Sequence, residues 1–147
     1  YIVSLEIIKG RVPDVRVDLS GEVPLIEFSQ VLEGEIMSLQ SGINYESGEE
    51  KRELEAYAAD FISGEVAKVV KVAQEEFKSD IFDFGNYTRK YFWTWQEWVD
   101  YAWLERFPAA EVRVKTVVRV RRTGLMSKTV PTPTHKEGNE EDGKYVD

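Results

Sequence analysis

The chain has no cysteine and one histidine, His135, in 147 residues. Without thiols, disulfides, thiolate metal sites and cysteine nucleophiles are excluded, and sulfur usage says nothing about redox compartment. His135 stands between Thr134 and Lys136 with no second imidazole to complete a metal site or a His-based triad, so no metal is expected. Gly-rich phosphate loops, GxSxG elbows and HExxH motifs are also missing, which leaves no catalytic residue to nominate. No apolar run approaches the roughly 20 residues that cross a bilayer, and the start carries neither an initiator Met nor a signal-peptide pattern. Beginning at Tyr1 inside a β-rich run, the sequence reads as a piece of something longer. An excess of basic charge is absent too. Acidic residues number 27 against 19 basic ones, a net charge of -8, and affinity for nucleic-acid backbones comes mainly from Lys and Arg on phosphates. No nucleic-acid partner is expected.

What is present suits one globular core. Hydrophobic residues make up 42% and aromatics 12%, and a chain of this size hides roughly two-thirds of its unfolded surface. Residues 1–9 (YIVSLEIIK) are β-rich, with Val3, Leu5 and Ile7 in one phase and Gly10 ending the run. Val15, Val17, Leu19, Gly21, Val23 and Leu25 keep a single period-2 phase across Ser20 and Gly21, which predicts one long, bulged strand with Pro24 at an edge or end. Residues 29–48 hold Gly34, Gly42 and Gly48 with no sustained period and read as an irregular connection.

From Glu49 the period changes. Leu54, Tyr57, Ala58, Phe61, Ile62, Val66, Val69, Val70, Ala73 and Phe77 recur at spacings of three and four, the mark of one amphipathic helix. Its rod of about 40 Å matches a strand of about 12 residues, so a long helix laid across long strands is the expected packing. Gly64 inside it suggests close packing or a slight bend. Asp80 is placed to cap the next helix, Asp83 lies beside its positive end, and Gly85 lets another element approach the backbone. Trp95, Trp98, Ala102 and Leu104 to Phe107 form a second, aromatic helical segment that Pro108 stops. Val112, Val114, Thr116, Val118 and Val120 then alternate with Arg113, Lys115, Val117, Arg119 and Arg121, a half-buried strand with one basic face. Residues 129–147, rich in Pro and Thr and then in acids, cannot bury enough apolar surface to offset their chain entropy.

The expected fold is therefore α+β: an antiparallel β-sheet of about three to four long strands, packed on one face by a long amphipathic helix and shorter aromatic-rich helices. It forms one domain over residues 1–128, followed by a flexible tail at 129–147.

Each feature with chemical potential has a plainer reading. The carboxylate pairs Asp80 with Asp83 and Glu49 with Glu50 could do acid/base work only in an enclosed pocket, and their places at helix starts already account for them. Trp93, Trp95, Trp98 and Trp103 could stack on a ligand, but Trp95 and Trp98 fall near helical spacing with Phe107, so core packing is the stronger reading. Trp93 lies off that stripe and is the one to be partly exposed. The row Arg113, Lys115, Arg119 and Arg121 could meet an acidic partner or anionic lipid heads. The plainer alternative, a solvated face paired with local Glu and Asp, is preferred.

The run from Asp80 to Gly124 carries a resemblance. Asp80, Ile81, Phe82, Phe84 and Gly85, then Arg89, Lys90, Tyr91, Trp95, Trp103, Phe107 and Pro108, lead into the alternating strand and Arg121, Arg122, Thr123 and Gly124. That order resembles the C-terminal part of the Ger(x)C family, the lipoprotein C subunits of bacterial spore germinant receptors. Asp83 replaces the first Gly of the family's DIFGFG pattern, and Phe92 stands where the family often has Pro. The long helix and the VRVDL strand agree in order, extending the likeness over residues 1–128.

The resemblance implies a non-enzymatic domain without a cofactor, part of a receptor at the outer face of the spore inner membrane. Its partners would be the two integral-membrane subunits, A and B, and an anionic lipid surface is a further candidate. The lipid anchor would sit on an N-terminal Cys absent from this sequence. Candidate interaction residues are Asp80, Asp83, Gly85, Trp93, Arg113, Lys115, Arg119 and Arg121. The rival is a small-ligand-binding domain or cryptic enzyme with a pocket between helices and sheet; a deep polar cavity would favour it, a filled core the interaction domain.

Overall fold

A computed structural model describes residues 2–39, 45 and 48–121. The tail expected at 129–147, His135 and the residues from Arg122 to Gly124 lie outside these residues. Four strands, β1 (Val3–Gly10), β2 (Asp14–Asp18), β3 (Leu25–Leu39) and β4 (Glu111–Arg121), form one sheet centred on β3. β2 pairs antiparallel with the first part of β3, placing Val17 opposite Ile26 and Val15 opposite Phe28. β1 pairs antiparallel with the second part, with Leu5 opposite Ile36 and Ile7 opposite Gly34. β4 runs parallel to β3, from Leu25 opposite Glu111 to Glu35 opposite Arg121. Because β4 fills one edge of β3 over that length, β1 and β2 share the other edge end to end. The Arg11 N–H, donating to the Val31 carbonyl at 3.0 Å, ties their junction. The fold is α+β with a four-stranded sheet, as the sequence predicts; β1 and β2 pair antiparallel with β3, and the fourth strand, β4, joins it in parallel.

Two expectations are corrected. The single strand read through residues 15–25 is two strands, because the chain reverses after β2. The Asp18 carboxylate accepts from the Ser20 N–H at 2.9 Å and its hydroxyl at 2.6 Å, an Asx-type turn. After it the buried phase switches from Val15 and Val17 to Ile26 and Phe28, so the unbroken parity through Val23, in the loop, and Leu25, the first residue of β3, was a coincidence of loop length. Of the irregular connection read at 29–48, residues 29–39 are the second part of the central strand, and 40–44, 46 and 47 lie outside the described residues. Gly34 is there for proximity: a Cβ would lie 2.9 Å from the Glu6 carbonyl oxygen and 3.2 Å from side-chain carbons of Leu5 and Ile7.

The long helix α1 (Gly48–Val72) lies along β4 and not across all the strands. Ser63 Oγ accepts the Thr116 N–H at 3.0 Å, and Glu55 accepts the Val120 N–H at 2.8 Å. The eight helical residues between those acceptors rise about 12 Å and the four strand residues about 13 Å, so the two axes run side by side in opposite directions. Gln74 Nε2 extends the seam, donating to the carbonyls of Phe107 and Ala110 at 2.9 and 2.8 Å. Side chains of the helix thus satisfy the edge that β4 would otherwise leave open. Leaning on one strand, α1 buries Val70 and half-buries Ala58, Ile62 and Val66, while Tyr57, Phe61 and Val69 of the expected stripe stay exposed. Nothing lies within 4 Å of a Cβ built at Gly64, so packing does not explain that glycine.

A wide turn of π-helix, Ala73–Phe77, ends at Lys78 in the left-handed region and releases the aromatic segment. It folds as α2 (Phe84–Thr88), α3 (Trp95–Tyr101) and α4 (Trp103–Arg106), closed by a 3-10 turn at Phe107–Ala109. The single helical segment expected through Phe107 is broken at Ala102, whose φ of 52° is left-handed. Phe84, Phe107 and Trp103 pack with Val15, Val17 and Ile26 to form the core. Phe84 meets Phe28, Phe82 and Phe107 at ring separations of 6.1, 5.3 and 6.4 Å, distances of favourable aromatic contact.

Candidate functional site

Asp80 and Gly85 are committed to the interior. One carboxylate oxygen of Asp80 accepts the Phe84 N–H at 3.1 Å, and the other accepts the Gly85 N–H at 2.7 Å and the Trp103 indole N–H at 2.8 Å. Three donors on one carboxylate make a strong anchor, since bonds to a charged acceptor exceed neutral ones. A Cβ on Gly85 would fall 2.7 Å from Trp103 Cδ1, so only glycine lets the indole rest on this backbone. Asp80 therefore caps α2 from four residues upstream and does not begin a helix itself. Asp83 is exposed and left-handed, with φ 60° and ψ 31°, and receives the Asn86 side-chain amide. Aspartate tolerates that region and glycine favours it, which accounts for the Gly that the resemblance has at this position.

Thr94 and Glu97 form a capping box at the start of α3. Thr94 Oγ1 accepts the Glu97 N–H at 3.2 Å, and the Glu97 carboxylate accepts the N–H groups of Thr94 and Trp93 at 3.1 and 2.9 Å. Phe92, where the resemblance has Pro, packs its ring against Trp98 and Tyr101 at 5.6 and 5.0 Å. Trp93, just beyond, is 97% exposed, in keeping with its place off the helical stripe. Trp95 is 64% exposed, so its assignment to the core is corrected. Trp95 opens α3 three residues before Trp98, a spacing that by itself puts both on one side of the helix, so no local signal marked Trp95 as exposed. Arg89, which sequence reasoning did not single out, lies over the Trp95 ring at 4.6 Å.

The basic row of β4 is interleaved with acids. Register places Glu27 between Arg16 and Arg113, Ser29 between Asp14 and Lys115, Glu33 opposite Arg119 and Glu35 opposite Arg121. Arg121 pairs with the largely shielded Glu33 carboxylate. Arg113 and Arg16 turn to acids on their own strands, Glu111 at 2.8 Å and Asp14 at 3.1 Å. Exposed pairs of this kind add little stability, but they cancel much of the field that four cations alone would project.

Two open depressions flank Arg16 and Glu27: one of about 440 Å³ reaches Arg113 and Lys115, the other, about 290 Å³, reaches Lys90 and Tyr91. Asp18 lines the second. The Ser20 hydroxyl and N–H hold its carboxyl below the ordinary carboxylate range, the opposite of what a general acid needs. Burial raises the Tyr101 phenol, against the opposing charge of Arg106. Among the described residues no group of three His, Asp or Glu is placed to hold a metal ion, and no helix is long and apolar enough to cross a membrane.

Comparison with known proteins assigns this arrangement. One solved structure sharing the fold, the crystal structure of the GerBC protein, superposes with a TM-score of 0.67 at 17% identity over 80% of this chain and 36% of its own. The chain thus spans little more than a third of that protein, and the likeness is one of fold. No curated protein matches the sequence. A family model described as "Spore germination B3/ GerAC like, C-terminal" matches residues 1–124, taking in the sheet, the Asp80 anchor and the glycine beneath Trp103. The chain belongs to the spore germination B3/GerAC-like family, whose C-terminal domain it carries.

Proposed function

We propose that this domain is the C-terminal part of a germinant-receptor C subunit, acting without catalysis in nutrient-triggered spore germination. It works by contact with the two integral-membrane subunits at the outer face of the spore inner membrane, where a lipid on the full protein's N-terminal Cys holds it. The family match over residues 1–124 carries this reading.

The rival, a small-ligand site or cryptic enzyme between helices and sheet, finds less support. The space it needs is taken by Phe84, Trp103, Phe107 and Ile26. Of the expected interaction residues, Asp80 and Gly85 serve the interior, whereas Asp83, Trp93, Arg113, Lys115, Arg119 and Arg121 are exposed. The charge-interleaved outer face, where cations and acids alternate across β2, β3 and β4, suits a partner of matching pattern, since complementary charge fixes register and excludes wrong partners.

The test is germination of spores whose full-length protein carries Arg113→Glu, Arg119→Glu and Arg121→Glu, with immunoblots of all three subunits. Lost nutrient response at normal subunit levels is expected. An unchanged response would remove the outer face from the proposal, and normal nutrient germination in spores lacking the protein altogether would remove the germination role.

A further inference from the structure

The turn between α2 and α3 displays side chains that the core does not use. Trp93 is 97% exposed, Trp95 64% and Val99, one helical turn beyond Trp95, 49%. The backbone beneath them is not loose. Glu97 holds the N–H groups of both Trp93 and Thr94, and Phe92 is wedged against Trp98 and Tyr101. The exposed indole of Trp93 thus stands on a hydrogen-bonded backbone.

Cations accompany the rings. The Arg89 guanidinium lies 4.6 Å from the Trp95 ring centre and the Lys90 ammonium 5.3 Å from that of Tyr91. Neither joins an ion pair among the described residues. The acids of α3 are engaged otherwise, Glu97 facing the turn and Asp100 accepting from the Gln96 amide at 2.8 Å, while Asp18, which shares a depression with Lys90, is held by Ser20. The outer sheet face differs in that its cations alternate with carboxylates.

We infer that this end of the molecule docks on the headgroup layer of an anionic lipid bilayer, with Trp93 and Trp95 among the headgroups and Arg89 and Lys90 on the phosphates. Indole rings favour that layer because one flank is apolar and the N–H stays wet. Long cationic stems lie along apolar surface while their charged heads reach phosphate. A bilayer also receives a protruding ring without needing a shaped pocket. The net charge of -8 opposes approach at long range, but ions screen it beyond about 8–10 Å, and the local cations act inside that distance. The inference is independent of the germination role, because binding is read on the purified chain.

The experiment floats the 147-residue chain with vesicles of phosphatidylcholine, with and without phosphatidylglycerol, while following tryptophan emission. Binding to the anionic vesicles with a blue shift is expected. The double variant Trp93→Ala, Trp95→Ala should weaken it about tenfold or more, as loss of a single good anchor would. Arg89→Glu with Lys90→Glu should abolish the preference for phosphatidylglycerol, and Arg113→Glu with Arg119→Glu should change nothing. All three are surface variants, checked for unaltered circular dichroism and melting. Absence of vesicle binding overturns the inference, as does binding indifferent to the Trp variant. So does a photo-crosslinker at position 93 in intact membranes that traps a protein and no lipid.

Discussion

Asp80 and Glu97 tie their turns with the same chemistry, and the two turns treat tryptophan in opposite ways. At each, a carboxylate gathers two successive backbone N–H groups at a helix start, Phe84 and Gly85 in one case, Trp93 and Thr94 in the other. Asp80 also accepts the Trp103 indole N–H, and Trp103 is buried; Glu97 accepts no ring, and Trp93 stands in water. A carboxylate fixes the turn in both. What folds one indole in is a third donor together with the missing Cβ of Gly85, which leaves room for the ring.

The contrast breaks most completely if Asp80 becomes alanine. Three donors then lose their acceptor, and unfolding in urea should show a loss of about 3 kcal/mol. Asp80→Asn, which retains an acceptor oxygen, should lose less. Wild-type stability in Asp80→Ala would mean the anchor holds nothing.

Gly85→Ala attacks the seat and spares the anchor. Its Cβ would lie 2.7 Å from Trp103 Cδ1, so the indole must shift, at a cost of about 2 kcal/mol and with a changed near-ultraviolet tryptophan signal. An unaltered signal would show that the ring does not rest there.

Glu97→Ala should have the smallest effect. Removing half of a capping box costs about 1 kcal/mol, and amide exchange at Trp93 and Thr94 should quicken while Trp103 keeps its signal. If Glu97→Ala destabilised as much as Asp80→Ala, the two turns would be structural equals and the display of Trp93 incidental.

Much of this was readable residue by residue. β1, the long helix, the alternating β4 and the exposure of Trp93 follow from periods and spacings that neighbouring residues set among themselves. The capping box at Thr94 and Glu97 was equally local, but it fixes where α3 begins and not that Trp95 faces water. The reversal after Asp18 was harder: a loop of even parity leaves the alternation unbroken, and an Asx turn at Asp18 and Ser20 is a weak mark. β3 was hidden because its Gly34 looks like a breaker until β1 lies against it.

By itself, then, the sequence determined β1, β4 and the long helix, and it placed Trp103 and Phe107 in the core, though not Phe84. Only the tertiary structure decided that β4 joins β3 in parallel, that α1 closes an edge with Ser63 and Glu55, and which tryptophan Asp80 holds. Those are contacts between residues far apart in the chain. Their free energies depend on space and donors that the distant partner supplies, and no local pattern encodes them.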